Sequence, residues 1–188
     1  MSPMIWETDR LILRGFQDID VKPFAAYRSD PEIAKFQCWD IPFSEEKAAK
    51  LIEEMNRIQP GIPGEWYQIA IELKTMHQLI GDCAFCILGE DSQQAEIGFT
   101  LARQYQGKGY GNEAVTRLLD YLFGELNLHR VRAICHVDNL AAAKMLERLG
   151  MRREAEFMEN IWLKGEWISE YWYGILQREW AAHIADCK

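Results

Sequence analysis

No apolar run in this sequence approaches the length of a membrane span, and Met1 to Arg14 lacks the basic-then-apolar order of a signal peptide. A cytosolic protein with no membrane partner is expected. Positive charge is short: 21 Lys and Arg against 29 Asp and Glu leave a net charge of −8. A nucleic-acid binder presents a basic face, so nucleic acid is not the expected partner. The balance suits a cationic acceptor such as an amine better than an anionic one. Internal repeats, low-complexity tracts and linker-like stretches are also missing, and residues 1–188 read as one domain able to bury a substantial core.

Metal-site spacing is lacking as well. The five cysteines are Cys38, Cys83, Cys86, Cys135 and Cys187. Cys83-x-x-Cys86 sits in a strand-like run, Leu79 to Leu88, where residues three apart point to opposite faces. No second Cys or His pair completes a zinc site. Buried, reduced thiols and no bound metal are expected.

The stretch that is present and specific is Gln106-Gly107-Lys108-Gly109-Tyr110-Gly111. Before it, Ala95 to Leu101 alternates as a strand. After it, Asn112 to Glu125 carries Val115, Leu118, Leu119 and Leu122 at helical spacing. Glycines at every second position let the backbone turn sharply and approach a ligand without Cβ interference. The N–H groups that follow lie at a helix N-terminus, where orphan donors and the macrodipole favour an anion such as pyrophosphate. The dinucleotide pattern would need glycine where Asn112 stands, and the Walker A ending is absent, which weakens an NAD- or nucleotide-binding reading.

Along the chain, Thr8 to Arg14 reads as a first strand. Asp18 and Asp20 offer N-caps for a helix through about Arg28, with Pro23 in its first turn. Asp30-Pro31 opens a short helical turn ending near Phe36. Ser44 caps a helix that buries Ala48, Leu51, Ile52 and Met55. Trp66 to Lys74 and Leu79 to Leu88 form a hairpin, and Val131 to Val137 closes a βαβ unit around the glycine turn. Asp138-Asn139 leads into a helix with Ala142, Met145, Leu146 and Leu149 inward, ended by Gly150. Arg153 to Leu163 and Trp167 to Leu176 turn at Lys164-Gly165, and a short helix starts at Gln177. Of the seven tryptophans, those after residue 160 could cover a dimer interface or pack a core, so monomer and homodimer both stand.

The glycine stretch, read as Gln/Arg-x-x-Gly-x-Gly/Ala, resembles the acetyl-CoA loop of the GNAT N-acetyltransferase superfamily. Thr8-Asp9-Arg10-Leu11-Ile12-Leu13-Arg14 resembles the T-x-R-L-x-L-R opening of its RimJ/RimL-like, ribosomal-protein-alanine branch. The run from Asn139 to Met151 is similar to that branch's N-x-x-S-x-x-x-x-E-K-x-G-F, with Ala142 at the serine position and Met151 at the phenylalanine. The tail from Lys164 to Trp180 is similar too, and the likeness is loose only between Phe36 and Pro63.

The resemblance implies an α/β (α+β) GNAT fold: a mixed, mostly antiparallel central sheet with two splayed parallel strands, flanked by helices. It implies an acetyl-CoA-dependent N-acetyltransferase acting on a primary amine, a protein N-terminus or a small molecule, by direct attack in a ternary complex. The backbone of Phe99, Thr100 and Leu101 would pair with the pantetheine arm as an added strand. Gln106, Gly107, Gly109, Tyr110 and Gly111 would hold the pyrophosphate, with Lys108 as an optional cation. Asn139 would contact the pantetheine arm, which a helix-cap role does not exclude.

Acetyl transfer needs a neutral amine, a polarised carbonyl and a stabilised thiolate. Glu96 is the first candidate base, against a solvated strand-edge glutamate; Glu159 is the second, against an exposed cross-strand charge. Phe36, Trp39 and Phe43 touch substrate or belong to the core. His136 reads as structural, and Cys135 as a nucleophile is set aside because the superfamily transfers directly. With Ala142 at the serine position no general acid is identified, which keeps open a non-catalytic CoA-binding or sensing module.

Overall fold

The computed structural model describes residues 5–186; Cys187 lies outside them. The chain opens with β1 (Trp6–Glu7) and β2 (Leu11–Arg14), antiparallel partners across a tight turn. The pattern predicts one strand from Thr8 to Arg14; the structure keeps Leu11–Arg14 as strand and makes Thr8 to Arg10 the turn before it. The Thr8 hydroxyl accepts from the Leu11 amide at 3.0 Å and the Thr8 amide donates to the Leu11 carbonyl at 3.0 Å, folding the backbone on itself.

A 3₁₀ turn over Asp18–Asp20 precedes α1 (Val21–Arg28). Asp20 does not cap this helix with its side chain, contrary to the expectation. Its buried carboxylate instead accepts from Arg14 at 2.6 and 3.0 Å, while Arg14 Nε donates to Glu72 at 2.6 Å. A desolvated guanidinium requires partners, and that demand outweighs a local cap. The short α2 (Pro31–Ala34) is capped by Asp30, which accepts from the Glu32 amide at 2.9 Å. In α3 (Glu45–Met55), Ser44 Oγ accepts from the Lys47 amide at 3.2 Å, and Ala48, Ile52 and Met55 are buried.

β3 (Trp66–Leu73) and β4 (Gln78–Ile87) form the expected hairpin, and β5 (Gln94–Leu101) lies antiparallel on β4. After the glycine turn come α4 (Tyr110–Asp120), a π-helical turn over Tyr121–Glu125, and β6 (Arg130–His136), parallel to β5. α5 (Leu140–Arg148) ends at Gly150, whose φ of +79° is the left-handed C-terminal cap. The chain closes with β7 (Arg152–Leu163), β8 (Glu166–Leu176) and α6 (Gln177–Asp186).

Among the described residues the strands make one sheet in the order β1-β2-β3-β4-β5-β6-β8-β7. Helices cover both faces of β4, which explains why that strand is apolar on both sides. From one face α1 sends Tyr27 to Asp82; from the other, Tyr121 packs on Phe85 with ring centroids 5.9 Å apart. At the far edge, Trp162 and Trp167 on the β7–β8 hairpin are exposed and packed together, whereas Trp180 is buried. Lys164 at the hairpin tip donates to the Ala34 carbonyl at 2.6 Å, tying the tip to the end of α2. No helix is long and apolar enough to cross a membrane among the described residues.

The parallel ladder between β5 and β6 runs only from Gln94 and Arg130 to Ile97 and Ala133. Past that point β5 stays paired with β4 as far as Leu101, and β6 with β8 as far as His136, but not with each other. The sheet opens there, and the site lies in the opening.

Candidate active site

The glycine turn sits at the mouth of the opening. Gly107 and Gly109 have φ of +72° and +83°, left-handed values that side-chain-bearing residues adopt at a cost. Gly109 is the N-cap of α4 and no side chain caps the helix there. Among the described residues, no amide from Gly107 to Asn112 donates to another protein group. Six consecutive unpartnered N–H groups at the positive end of a helix suit one kind of occupant, an anion. Gly111 also answers a packing demand. A Cβ there would lie 3.0 Å from Met145 Sδ and 3.2 Å from Leu101 Cδ1, so its small size lets α4 pack against α5 and β5.

The turn is fastened from below by residues to which the sequence pattern assigned no role. Arg10 Nη1 donates to the Lys108 carbonyl at 3.0 Å, Arg10 Nε to Glu113 at 2.6 Å, and the guanidinium covers the Tyr110 ring at 4.5 Å. The Thr8 hydroxyl and the Arg10 amide donate to the other Glu113 oxygen. Burial pushes the Glu113 carboxyl up, but these donors outweigh it and hold it below the usual range. Thr8 and Arg10 belong to the T-x-R-L-x-L-R stretch, the signal that could have marked them. Tyr105 is buried, with its hydroxyl 3.5 Å from Gln78 Oε1.

Two cavities meet at the splay. The first, about 500 Å³, runs between α2 and the unpaired end of β5, past Phe99, Thr100, Leu101, Gln106, Gly107 and Asn139. The second, about 440 Å³, shares Phe36, Phe99, Thr100 and Asn139 with it and continues to Trp39, Trp66, Gln68 and Asp82. The shared walls set the two cavities side by side. Asn139 Oδ1 caps α5 by accepting from the Ala142 amide at 3.2 Å, and its side-chain amide makes no other bond among the described residues. Gln106 donates to the Leu101 carbonyl at 2.9 Å, pinning the turn to the end of β5.

The structure brings Gln106 and Gly107 of the glycine turn, Phe99 to Leu101, Asn139, Phe36 and Trp39 together around these cavities, while Lys108, Gly109, Tyr110 and Gly111 line neither. Lys108 stands at the turn with its ammonium 5.8 Å from the Tyr105 ring. Phe43 packs on Phe24 and lines neither cavity. Glu96 lies one strand position before the opening, where its carboxylate takes both Arg132 Nε at 2.9 Å and Arg132 Nη2 at 2.8 Å and lines neither cavity. Glu159 is exposed at a break in the β7–β8 register, with φ +46° and its amide donating to Ser169 Oγ. It too is outside both cavities.

The thiols are not uniform. Cys83 and Cys86 are buried, and burial pushes both up. Cys38 is exposed, contrary to the expectation of burial. Cys135 borders the second cavity, but burial first and then Glu170 and Glu147 push its thiol up to about 11, so little thiolate forms at neutral pH. His136 Nδ1 accepts from the Asp138 amide at 2.9 Å, which assigns the proton of the neutral ring to Nε2. Ala142 stands at the junction of the cavities with no hydroxyl to offer.

Sequence reasoning missed the second cavity's charged group. Asp82 is buried in mid-strand, its Oδ1 accepting from the Tyr27 hydroxyl at 2.5 Å and its Oδ2 3.8 Å from Arg28 Nη2. Arg28 is sandwiched between Trp39 at 4.1 Å and Phe24 at 4.3 Å. A lone carboxylate inside the apolar run Leu79 to Leu88 was the available signal.

The family model described as Acetyltransferase (GNAT) domain matches residues 10–152. The uncharacterized N-acetyltransferase YnaD of Bacillus subtilis is 35% identical over 177 residues, covering 92% of this chain and 97% of that protein. The crystal structure of a GNAT-family acetyltransferase from Bacillus anthracis superposes with a TM-score of 0.81 at 31% identity, over 93% of this chain and 99% of that one. A ribosomal-protein-S5-alanine acetyltransferase from Vibrio fischeri shares the fold, with a TM-score of 0.80 at 22% identity over 94% and 98% of the two chains.

Proposed function

Because the chain belongs to the GNAT acetyltransferase family, we propose that it moves the acetyl group of acetyl-CoA onto a primary amine by direct attack within a ternary complex. The observation that carries this reading is the pair of adjoining cavities at the splayed strands, with the unpartnered amides of the glycine turn beside the first and a buried carboxylate lining the second. In it, the amides from Gly107 to Asn112 hold the pyrophosphate. The free backbone edge of Phe99 to Leu101 and the Asn139 side-chain amide take the pantetheine arm, which has the peptide-like groups of an extra strand. The thioester then lies at the junction, and the amine enters past Phe36 and Trp39. Direct attack is favoured over an acyl intermediate on Cys135, because that thiol, on the wall of the second cavity, is held protonated.

An N-terminal α-amine, with a pKa of about 8, is closer to neutral than a side-chain amine of about 10.4, so it asks less of the enzyme. The fold likeness to a ribosomal-protein-alanine acetyltransferase gives that acceptor class first place in a screen, and polyamines second. The test is release of CoA thiol from acetyl-CoA in the presence of peptides with N-terminal Ala or Ser, polyamines and free amino acids. We expect thiol release matched one to one by N-acetylated product with at least one class. Acetyl-CoA binding with no turnover on any of them would favour a CoA-sensing module, a reading that Ala142 supports by leaving the thiolate without a hydroxyl donor.

A further inference from the structure

The second cavity contains one buried anion, and its geometry is that of a base kept ready rather than of a spent ion pair. Asp82 is 4% exposed and sits directly opposite Thr100, in the part of β5 that has left β6. Its two oxygens are treated differently. Oδ1 is held by the Tyr27 hydroxyl at 2.5 Å, which fixes the carboxyl plane. Oδ2 makes no hydrogen bond among the described residues, and the nearest cation, Arg28 Nη2, stops 3.8 Å away.

Arg28 is kept at that distance by the aromatic rings of Phe24 and Trp39 on which it stacks. Its charge therefore tempers the cost of a buried carboxylate without occupying the oxygen. A structural ion pair would close to hydrogen-bond distance, as Arg14 does with Asp20 and Glu72. The contrast between the two buried clusters is what separates a fastening from a functional group.

The other titratable groups around the carboxylate are Cys83 beside it on β4, Cys38 after α2 on the cavity wall, and Cys135 and His136 across the splay on β6. Burial pushes the Asp82 carboxyl up, with Arg28 and Tyr27 opposing only in part, so the group lies closer to neutrality than an exposed aspartate. General bases work best when their affinity for the proton is near the working pH.

We propose that Asp82 is the proton acceptor for the attacking amine, with Tyr27 as its positioning residue. The proposal rests on the second cavity being the amine site. As the nitrogen lone pair forms the C–N bond with the thioester carbonyl, the N–H proton passes to Asp82 Oδ2, directly or across one water. The C–S bond then breaks with its electron pair on sulfur. The proton held on Asp82 is returned through solvent to the thiolate, giving free CoA thiol and restoring the carboxylate. Nothing else is consumed.

The test is the pH dependence of kcat for the full-length enzyme and its variants, measured with two amines of different basicity so that the limb common to both belongs to the enzyme. Asp82→Asn is expected to lower kcat by roughly 10²–10⁴-fold and to remove the common acidic limb, while the melting shift given by acetyl-CoA stays as in the wild type. Tyr27→Phe is expected to keep most of kcat and to move that limb to higher pH, because the carboxylate loses the donor that favours its charged form. Should Asp82→Asn fail to fold, the limb displacement in Tyr27→Phe carries the test. The proposal is overturned if Asp82→Asn keeps the wild-type limb, or if Glu96→Gln removes it instead. Absence of turnover by the wild type with every amine is a separate result, and it removes the amine-site reading together with this proposal.

Discussion

Gly109→Val is expected to weaken acetyl-CoA binding by roughly a hundredfold or beyond, and to do so at a visible cost in stability. The φ of +83° at this position costs a side-chain-bearing residue about 1–2 kcal/mol, and a β-branched one is the worst choice. A Cβ there would also stand 3.2 Å from Arg10 Nη2. Moving that guanidinium loosens its bonds to the Lys108 carbonyl and Glu113, which hold the turn under α4. The cradle amides would then point away from their ligand. Losing several amide hydrogen bonds to an anion, each about 1 kcal/mol or more, lowers affinity by roughly a hundredfold or beyond. The glycine pattern alone suggests that affinity would suffer far more than stability; the left-handed backbone and the Arg10 contact mean that both fall. Gly107→Ala is the milder control, since nothing lies within 4 Å of its Cβ and only the backbone strain at φ +72° remains. Calorimetric titration with acetyl-CoA reads the difference, and affinity within threefold of wild type in Gly109→Val would rule out this cradle.

The largest loss of stability is expected from Arg14→Ala. Arg14 is 6% exposed, Asp20 1% and Glu72 8%, and the guanidinium serves both carboxylates at 2.6 Å. Its removal leaves buried negative charge without a partner, which costs about 3–5 kcal/mol, or roughly 6–20 °C in melting temperature for a chain of this size. The pH response should change sign. Burial works to push the Glu72 carboxyl up, but Arg14 and His77 outweigh it and hold Glu72 below the ordinary range in the folded protein. In the wild type that stabilisation is present above the ordinary carboxylate range and is lost as pH falls through the lowered folded value. Without Arg14 burial dominates, so mild acidification should partly rescue the variant while it weakens the wild type. Thermal unfolding of both proteins across the acidic range checks this, and parallel curves would show that Arg14 is not what holds Glu72 down.

Features that repeat along the chain were legible from the sequence. The alternation before the glycine turn, the helical spacing after it and the turn chemistry at Ser44, Asp30 and Gly150 each depend on neighbours within a few residues, and each leads to the observed element. The readings that failed depend on contacts made across the fold. Asp20 reads as a helix cap until Arg14 is placed beside it. The first strand reads as continuous because periodicity is blind to the Thr8 turn.

The site divides in the same way. The glycine turn is local in sequence, and its first residues, Gln106 and Gly107, reach the wall of the first cavity. The second cavity is assembled from α1, β3, β4, β5 and β6, and no motif spans those distances. Asp82 was nevertheless marked in principle, because a solitary aspartate amid apolar strand residues must be paired or put to use. For Phe43, substrate contact and core packing were both open from the sequence; it packs on Phe24 and lines neither cavity.

The most direct test of the account is thermal unfolding with acetyl-CoA, beside NAD and ATP at equal concentration. At a hundred times its dissociation constant, a ligand that binds only the folded state adds about 2.7 kcal/mol, which for this chain is about 5–10 °C. The account predicts a shift of that order with acetyl-CoA, none of that size with NAD or ATP, and its loss in Gly109→Val. An unchanged melting temperature with acetyl-CoA, or an equal shift with NAD, would contradict it.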